Sequence, residues 1–286
     1  MSQSISVLMP ALNASSTIRL AVKSTLRAMR SSDELLVFLD GCTDRSSEVL
    51  KRINDPRLRI FESDIQVGVA SALNTLLSHA SNPLVARMDA DDFCLPWRFA
   101  DQLRVLKSSD ADFVFSSHIF FGWSLFPPVR PGVWSHLTPE ESALALVISN
   151  PFVHPGLLAQ RHVIESLGGY RDSPAEDYDL WLRATLAGFK IVRSAIPAIF
   201  IRVHSSQITQ NSNWKKKLLN DPILADSLSS ARRKILLQKF LGETRTEIKV
   251  GGQLYEAVQH QIAKQRFLVR LFLGRNLKKV ESTEDE

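Results

Sequence analysis

The stretch Leu84-Val85-Ala86-Arg87-Met88-Asp89-Ala90-Asp91-Asp92 runs from an apolar segment straight into crowded carboxylates. A short apolar run bounded by polar turn residues reads as a buried strand, here Leu84 to Met88. Asp89, Asp91 and Asp92 are therefore expected at a strand's carboxyl end. Like charges crowded there raise one another's pKa and repel, whereas a hard divalent ion such as Mg²⁺ or Mn²⁺ takes oxygen ligands and shares them with phosphates. By themselves the same acids read more readily as a solvated turn capping the helix opened by Pro96, since carboxylates before helices are common. The surrounding chain has to decide between the two.

Outward from this stretch, the first hundred residues alternate short apolar runs with longer periodic segments, the pattern of parallel strands joined by helices. Strands are predicted at Ile5 to Met9, Glu34 to Leu39, Leu58 to Glu62, Leu84 to Met88 and Phe113 to Ser116. Helices are predicted to start near Ser15, Asp44, Gly68 and Pro96, the first two introduced by residues able to cap and the last by an early Pro. The expected architecture is a doubly wound α/β sheet, which binds ligands at the carboxyl ends of its strands. The residues there are Pro10-Ala11-Leu12-Asn13, Asp40-Gly41-Cys42-Thr43-Asp44, Ser63-Asp64-Ile65 and Asp89 to Asp92, an acidic and polar rim. No Gly-x-Gly-x-x-Gly follows the first strand and no Gly-x-x-x-x-Gly-Lys occurs, so neither glycine-rich phosphate grip is supported. After Ser117 the alternation gives way to an aromatic, Pro-rich region. It resumes with a helix at Pro139 to Ile148, a strand around Pro155 to Ala159, a helix from about Ala175 to Ala187 and strands near Lys190 to Val203. From Asn211 onward the pattern is helical and cationic, and a boundary is placed near 210.

The 286 residues suit one large domain with an appendage, and 44% hydrophobic with 23% charged residues excludes disorder, collagen and a disulfide scaffold. The net charge of +5 is concentrated late in the chain. Cys42 and Cys94 are too few for a disulfide framework or a zinc site and suit a reducing compartment. The start of the chain lacks the cationic region of a signal peptide, and no uncharged stretch escapes interruption by Pro or Gly, so a cytosolic location without a spanning helix is expected.

Further candidates follow in chain order. Asp44 reads best as a helix cap; Asp40, at a strand end, can accept hydrogen bonds from a base or ribose. Glu176-Asp177-Tyr178-Asp179-Leu180-Trp181 opens a helix after Pro174. A carboxylate desolvated by aromatics can be a general base, while acids at a helix start are also simply favourable there. His154 and His204 flank late strands; a lone histidine is more often a hydrogen-bonded structural residue, yet either can complete a metal site.

Taken in order, these segments resemble glycosyltransferase family 2, whose catalytic domain is the GT-A fold. The resemblance covers roughly the first 210 residues. It runs through Ile5 to Asn13, Asp40 to Asp44, Gly68 to Asn74, Arg87 to Asp92 with Leu95-Pro96-Trp97-Arg98, Asn150 to Pro155, Gly168 to Arg171, Ala175 to Arg183 and Arg202 to Gln207. It implies a mixed sheet with a nucleotide-binding Rossmann-like half and a helical C-terminal extension. It further implies an inverting transfer of sugar from a nucleotide-sugar, by family habit a UDP-sugar. The acceptor would be a saccharide or lipid-linked saccharide, in bacterial surface polysaccharide or glycolipid synthesis. On the resemblance, Pro10, Ala11, Leu12, Asn13 and Asp40 form the nucleoside pocket and Arg87, Asp89 and His154 belong to the donor site. Asp91 and His204 hold Mn²⁺ or Mg²⁺, and Asp177 is the catalytic base, with Asp92 and Glu176 as supporting acids. The chain departs from the family in the second motif, where Leu39 replaces the first of a common aspartate pair and Cys42 replaces a serine.

Gln261 to Val280 carries Lys264, Arg266, Arg270, Arg275, Lys278 and Lys279 among apolar residues, with no acid. Such a helix can lie on an anionic membrane surface or pack on the domain through its apolar side chains. Two rival functions make demands that the sequence can be checked against. A sugar nucleotidyltransferase should show a basic, glycine-rich triphosphate loop near the N-terminus. A nucleic-acid binder built on the cationic tail should show a recognition motif, and none is present; nucleic acid is not an expected partner.

Overall fold

The computed structural model describes residues 3–122, 129–132, 134–204, 216–218 and 220–243. The chain forms a nine-stranded mixed sheet. The strands are β1 (Ile5–Ala11), β2 (Glu34–Asp40), β3 (Leu58–Ser63), β4 (Leu84–Arg87), β5 (Phe93–Cys94), β6 (Phe113–Phe121), β7 (Val129–Pro131), β8 (Leu157–Gln160) and β9 (Ile191–Arg202). Their spatial order is β3-β2-β1-β4-β8-β6-β9-β5, with β7 paired to β6. β1 lies parallel to both β2 and β4, so the strand order reverses between β1 and β4. A crevice opens at such a switch point beyond the carboxyl ends of the strands. Beyond β4 the sheet turns mixed: β8 is antiparallel to both β4 and β6, while β6 and β9 are parallel.

The helices are α1 (Ile18–Ala28), α2 (Ser46–Lys51), α3 (Val69–His79), α4 (Arg98–Ser109), α5 (Pro139–Leu146), α6 (Arg161–Ser166), α7 (Glu176–Ala187) and α8 (Pro222–Glu243). Alternation along the strands divides the core. Ile5, Val7 and Met9 of β1 and Leu35, Val37 and Leu39 of β2 join one cluster with Ile18 and Val22 of α1 and Phe99 and Val105 of α4. The intervening Leu8 and Leu36 are also buried but fall outside that cluster, on the face where α3 packs against β1 and β2. Helices thus cover both faces, which is why these strands read as continuous apolar runs.

The compact unit runs from Met1 to Arg233. Within it Ala231 is fully buried, the Ser227 hydroxyl donates to Asp179 at 2.6 Å and Arg232 Nε donates to the Val147 carbonyl at 2.8 Å. The first half of α8 is therefore part of the fold that carries the site. A second unit is Lys234–Glu286; the cationic stretch Gln261 to Val280 lies outside the described residues, and no helix among the described ones is long and apolar enough to cross a membrane.

Two expectations are corrected. The alternation does not end at Ser117, because β6 continues to Phe121 and pairs with β9 through Phe121↔Arg202 and with β7 through Ile119↔Pro131. The run Phe113 to Phe121 is apolar enough to stay in the sheet, and the breaking residues begin only at Gly122. The late strands near Lys190 to Val203 form one strand, β9, bulged opposite Ser116 and Ser117.

Arg98 holds the sheet to the acidic turn. It is fully buried; its Nη2 donates to the carbonyls of Arg87 at 2.8 Å and Leu157 at 3.1 Å, and its Nε to Gln102 at 3.2 Å. Burial pulls its pKa down, and the negative charges of Asp92 and Asp89 act in the opposite direction. Arg98→Leu leaves those carbonyls without a donor and removes one buried positive charge near the acids, so it is expected to cost about 3–5 kcal/mol. A urea denaturation midpoint within error of the wild type would refute this.

Candidate functional site

The carboxyl ends of β1 and β2 are tied into a rigid rim. Asn13 sits in the left-handed region at φ 49, and its side-chain oxygen accepts from Thr43 N–H at 2.8 Å. The Cys42 thiol donates to Ala11 O and accepts from Asn13 N–H, the bonding a serine hydroxyl at that position would supply. Gly41, at φ +63, allows Gln66 to approach; a Cβ there would meet Gln66 N at 2.5 Å. Asp44 receives Ser15 N–H and Ser46 N–H. Burial alone would raise its carboxyl, but the Ser46 and Ser15 hydrogen bonds prevail and hold it down at about 2. Asp40 is 5% exposed and commits Oδ1 to Val67 N–H at 2.6 Å and Oδ2 to Gly68 N–H at 3.0 Å. It shapes the loop that enters α3.

At the switch point the acidic turn follows β4. One carboxylate oxygen each from Asp89, Asp91 and Asp92 lies within 4.8 Å of the others. The end of β9 clamps this turn: Arg202 N–H donates to Asp92 Oδ1 at 2.8 Å, Arg202 Nε to the Asp91 carbonyl at 2.9 Å, and His204 Nε2 lies 2.9 Å from Asp91 Oδ2. Asp92 Oδ2 is buried without a hydrogen-bond partner among the described residues. Burial first, then the charges of Asp89 and Asp91, push the Asp92 carboxyl well above the usual range. Arg87 Nη1 is 2.5 Å from Asp89 Oδ1, yet that oxygen and Arg87 Nε make no directed hydrogen bond among the described residues. An all-oxygen set with an imidazole beside it, one oxygen orphaned in the interior, fits a hard divalent cation.

Opposite the turn stands the first turn of α7. Trp181, fully buried, fixes the helix by edge contacts with Phe113 and Phe115, at 5.7 and 4.9 Å between ring centroids. One turn earlier, Asp177 is partly open to the cleft and enclosed by protein elsewhere. Its Oδ1 accepts from Tyr178 N–H at 2.7 Å and its Oδ2 from Asn150 Nδ2 at 3.1 Å. Burial raises its pKa above the ordinary carboxylate value, the direction a base near neutral pH needs. Glu176, also desolvated, is pushed up to about 7. His154 lies between Glu176 Oε1 at 3.4 Å and the Tyr170 hydroxyl at 3.2 Å. Burial, aided by the Arg87 charge, lowers it to about 4, so the imidazole is neutral at physiological pH.

One cleft of about 970 Å³ joins these groups: Arg87, Asp89, Asp91, Asp92, His154, Glu176, Asp177 and His204 all line it. Pro10 to Asn13 and Asp40 lie at the same edge of the sheet and do not line this cavity. Apolar residues that the sequence did not point to, Phe120, Ile148, Ile201, Val203, Leu218 and Leu228, line the same cleft. Nor did the sequence point to Asn150 and Tyr170, although both lie in segments that carried the resemblance.

A model of the family described as glycosyl transferase family 2 matches residues 6–168. The chain belongs to this family. It is 23% identical over 233 residues to the Escherichia coli UDP-Glc:α-D-GlcNAc-diphosphoundecaprenol β-1,3-glucosyltransferase WfaP, over 81% of this chain and 90% of that protein. It is 26% identical to the amylovoran biosynthesis glycosyltransferase AmsE of Erwinia amylovora, over 64% of this chain and 70% of that one. Among solved structures, S. aureus TarS 1–349 in complex with UDP-GlcNAc superposes with a TM-score of 0.62 at 16% identity, over 80% of this chain and 73% of that one. Mannosyltransferase PcManGT from Pyrobaculum calidifontis, in complex with GDP-Man and Mn²⁺, gives 0.57 at 17% identity, over 90% and 80%. These neighbours identify the mixed sheet as the GT-A fold. The protein is a glycosyltransferase, and its curated relatives are bacterial enzymes of polysaccharide and lipid-linked sugar synthesis.

Proposed function

We propose that this enzyme transfers a sugar, with inversion, from a UDP-sugar to a hydroxyl of a saccharide or lipid-linked saccharide in bacterial surface polysaccharide or glycolipid synthesis. The observation that carries the reading is the single cleft holding both the acidic turn and Asp177. Asp91 and His204, with Asp89 beside the ribose and diphosphate, would hold Mn²⁺ or Mg²⁺. When bound, that ion supplies positive charge against the departing nucleoside diphosphate. Asp92 fixes the turn to β9, and Arg87, its Nε unpartnered among the described residues, adds a second positive charge beside the donor. The rim at Pro10 to Asn13 and the loop shaped by Asp40 receive the nucleoside, and His154 borders the donor sugar. Asp177 takes the acceptor hydroxyl's proton on the side away from the leaving group, and Glu176 supports it. The acceptor enters against the apolar wall of Phe120, Ile148, Ile201, Val203, Leu218 and Leu228.

The test incubates the full chain with Mn²⁺, UDP-glucose and the lipid-linked N-acetylglucosamine named for WfaP, with other UDP-sugars in parallel. Expected are release of UDP and a product whose anomeric proton couples as the β-anomer. A retained configuration, or pyrophosphate release from a sugar phosphate and UTP, would overturn the reading.

The placement of the cationic stretch Gln261 to Val280, within the basic extension expected from the sequence, on the cytoplasmic face of the membrane is part of the same proposal. Lys and Arg near an anionic surface contribute about 1 kcal/mol each. The full chain is therefore expected to co-sediment with phosphatidylserine vesicles at low salt and release as salt rises. Equal retention on neutral phosphatidylcholine vesicles would contradict an electrostatic attachment.

A further inference from the structure

The segment from the end of α5 to the 3₁₀ turn at His154–Gly156 crosses the cleft wall as a strap held from three elements. Tyr178 of α7 donates its hydroxyl to Leu146 O at 2.5 Å, Arg232 of α8 donates to Val147 O, and Arg193 of β9 donates to Pro151 O at 3.0 Å. Arg193 is itself buried and fixed on its far side by the Ser135 carbonyl and hydroxyl. Three carbonyls of the strap, those of Leu146, Val147 and Pro151, thus accept from donors on other elements, which limits its freedom to shift.

Asn150 is the residue this strap aims at the helix. Its side-chain oxygen accepts from Phe152 N–H at 3.1 Å, an Asx turn across Pro151. With the oxygen so engaged, the amide nitrogen must face the other way, where it meets Asp177 Oδ2 at 3.1 Å. The second Asp177 oxygen is occupied by Tyr178 N–H, so the plane of the carboxylate is set from both sides.

We infer that Asn150 is a positioning residue for Asp177, orienting its carboxylate toward the acceptor and favouring its ionised form. The inference rests on the reading of Asp177 as the base. The groups around Asp177 are Glu176 on its own helix, His154 on the 3₁₀ turn and Tyr170 beyond it, with Arg87 of β4 near Glu176 and His154. The imidazole is neutral near pH 7, and Glu176 adds negative charge where ionised. Asn150 is thus the neutral donor that favours the carboxylate from the strap side.

Two substitutions separate positioning from folding. Asn150→Ala loses both the turn acceptor and the donor. Asn150→Asp keeps an acceptor for Phe152 N–H and replaces the donor by a second carboxylate facing Asp177. UDP release from UDP-glucose is followed against pH for both, with melting temperature and UDP affinity as controls and Asp177→Asn in parallel. The expected result is a kcat lower by about 10- to 100-fold in both variants, the strength of a hydrogen bond to a charged group. The acidic limb of the rate profile should move upward by about one pH unit in Asn150→Ala and further in Asn150→Asp, with UDP affinity unchanged. A limb that stays at the wild-type pH in Asn150→Asp overturns the inference, because a merely structural role would lower stability without ordering the limbs. Full turnover by Asp177→Asn overturns the reading of the base and the inference with it; wild-type behaviour of the Asn150 variants beside an inactive Asp177→Asn overturns the inference alone.

Discussion

Asp177→Asn is expected to lower the rate of sugar transfer by about 10²–10⁴-fold, the range a positioned general base contributes, while leaving UDP affinity within a factor of about two. The amide matches the carboxylate in shape but has one acceptor where the carboxylate has two, so either Tyr178 N–H or Asn150 Nδ2 loses its partner. That loss is modest because the helix is anchored elsewhere, by buried Trp181 and by Asp179 with Arg183 at 2.8 Å. The pH dependence adds a second readout. A base acts only when deprotonated, and burial raises this carboxyl, so wild-type turnover should fall as pH drops through the raised pKa. The residual activity of the variant should lack that limb. Wild-type kcat in Asp177→Asn, measured as UDP release with the true acceptor, would remove the residue from the mechanism.

The nucleotide-binding half of the sheet was legible because β1 and β2 are buried on both faces, while the edge strand β3 sets partly buried Leu58 and Ile60 around exposed Arg59. Ile5 to Met9, Glu34 to Leu39 and Leu58 to Glu62 are runs whose composition alone marks them, and each was placed within two residues of the observed strand. The helix starts near Ser15 and Asp44 came out early for a physical reason. Asp44 receives N–H groups from both Ser15 and Ser46, so one carboxylate serves the entrances of two helices and neither polar residue sits at the first helical position. The second half was harder. β5 is two residues long and exists only because β9 passes beside it, and no periodicity is detectable over two residues. The buried role of Arg98 was hidden for a related reason: a charged side chain in an amphipathic helix reads as surface until its acceptors, the carbonyls of Arg87 and Leu157, are brought to it by the sheet. The encounter of the acids was implied by the family's order of motifs. The apolar lining of the cleft was not, since Leu218 and Leu228 come from beyond β9 and no local pattern ties them to a cleft.

Asp91→Ala should have the second large effect, on binding as well as on rate. The substitution is expected to spare the fold, because the turn is held by groups it does not touch: the Asp91 backbone carbonyl still receives Arg202 Nε and Asp92 still receives Arg202 N–H. What disappears is the side-chain oxygen facing His204 Nε2, and with it one of the three carboxylates that converge within 4.8 Å. Losing an outer partner of a metal ligand already costs 10–100-fold in affinity, so losing a ligand should weaken apparent Mn²⁺ affinity by about a hundredfold or more. Calorimetric titration of Mn²⁺ in the presence of UDP reads this without any acceptor, and the Mn²⁺-dependent rise in melting temperature with UDP should vanish alongside it. The two variants then separate: Asp177→Asn keeps the Mn²⁺-dependent response to UDP and loses transfer, whereas Asp91→Ala loses both. An Asp91→Ala protein that still binds UDP more tightly with Mn²⁺, to the same degree as the wild type, would move the cation off this turn and leave Asp89 and Asp92 as a charge cluster held by Arg87, Arg98 and Arg202.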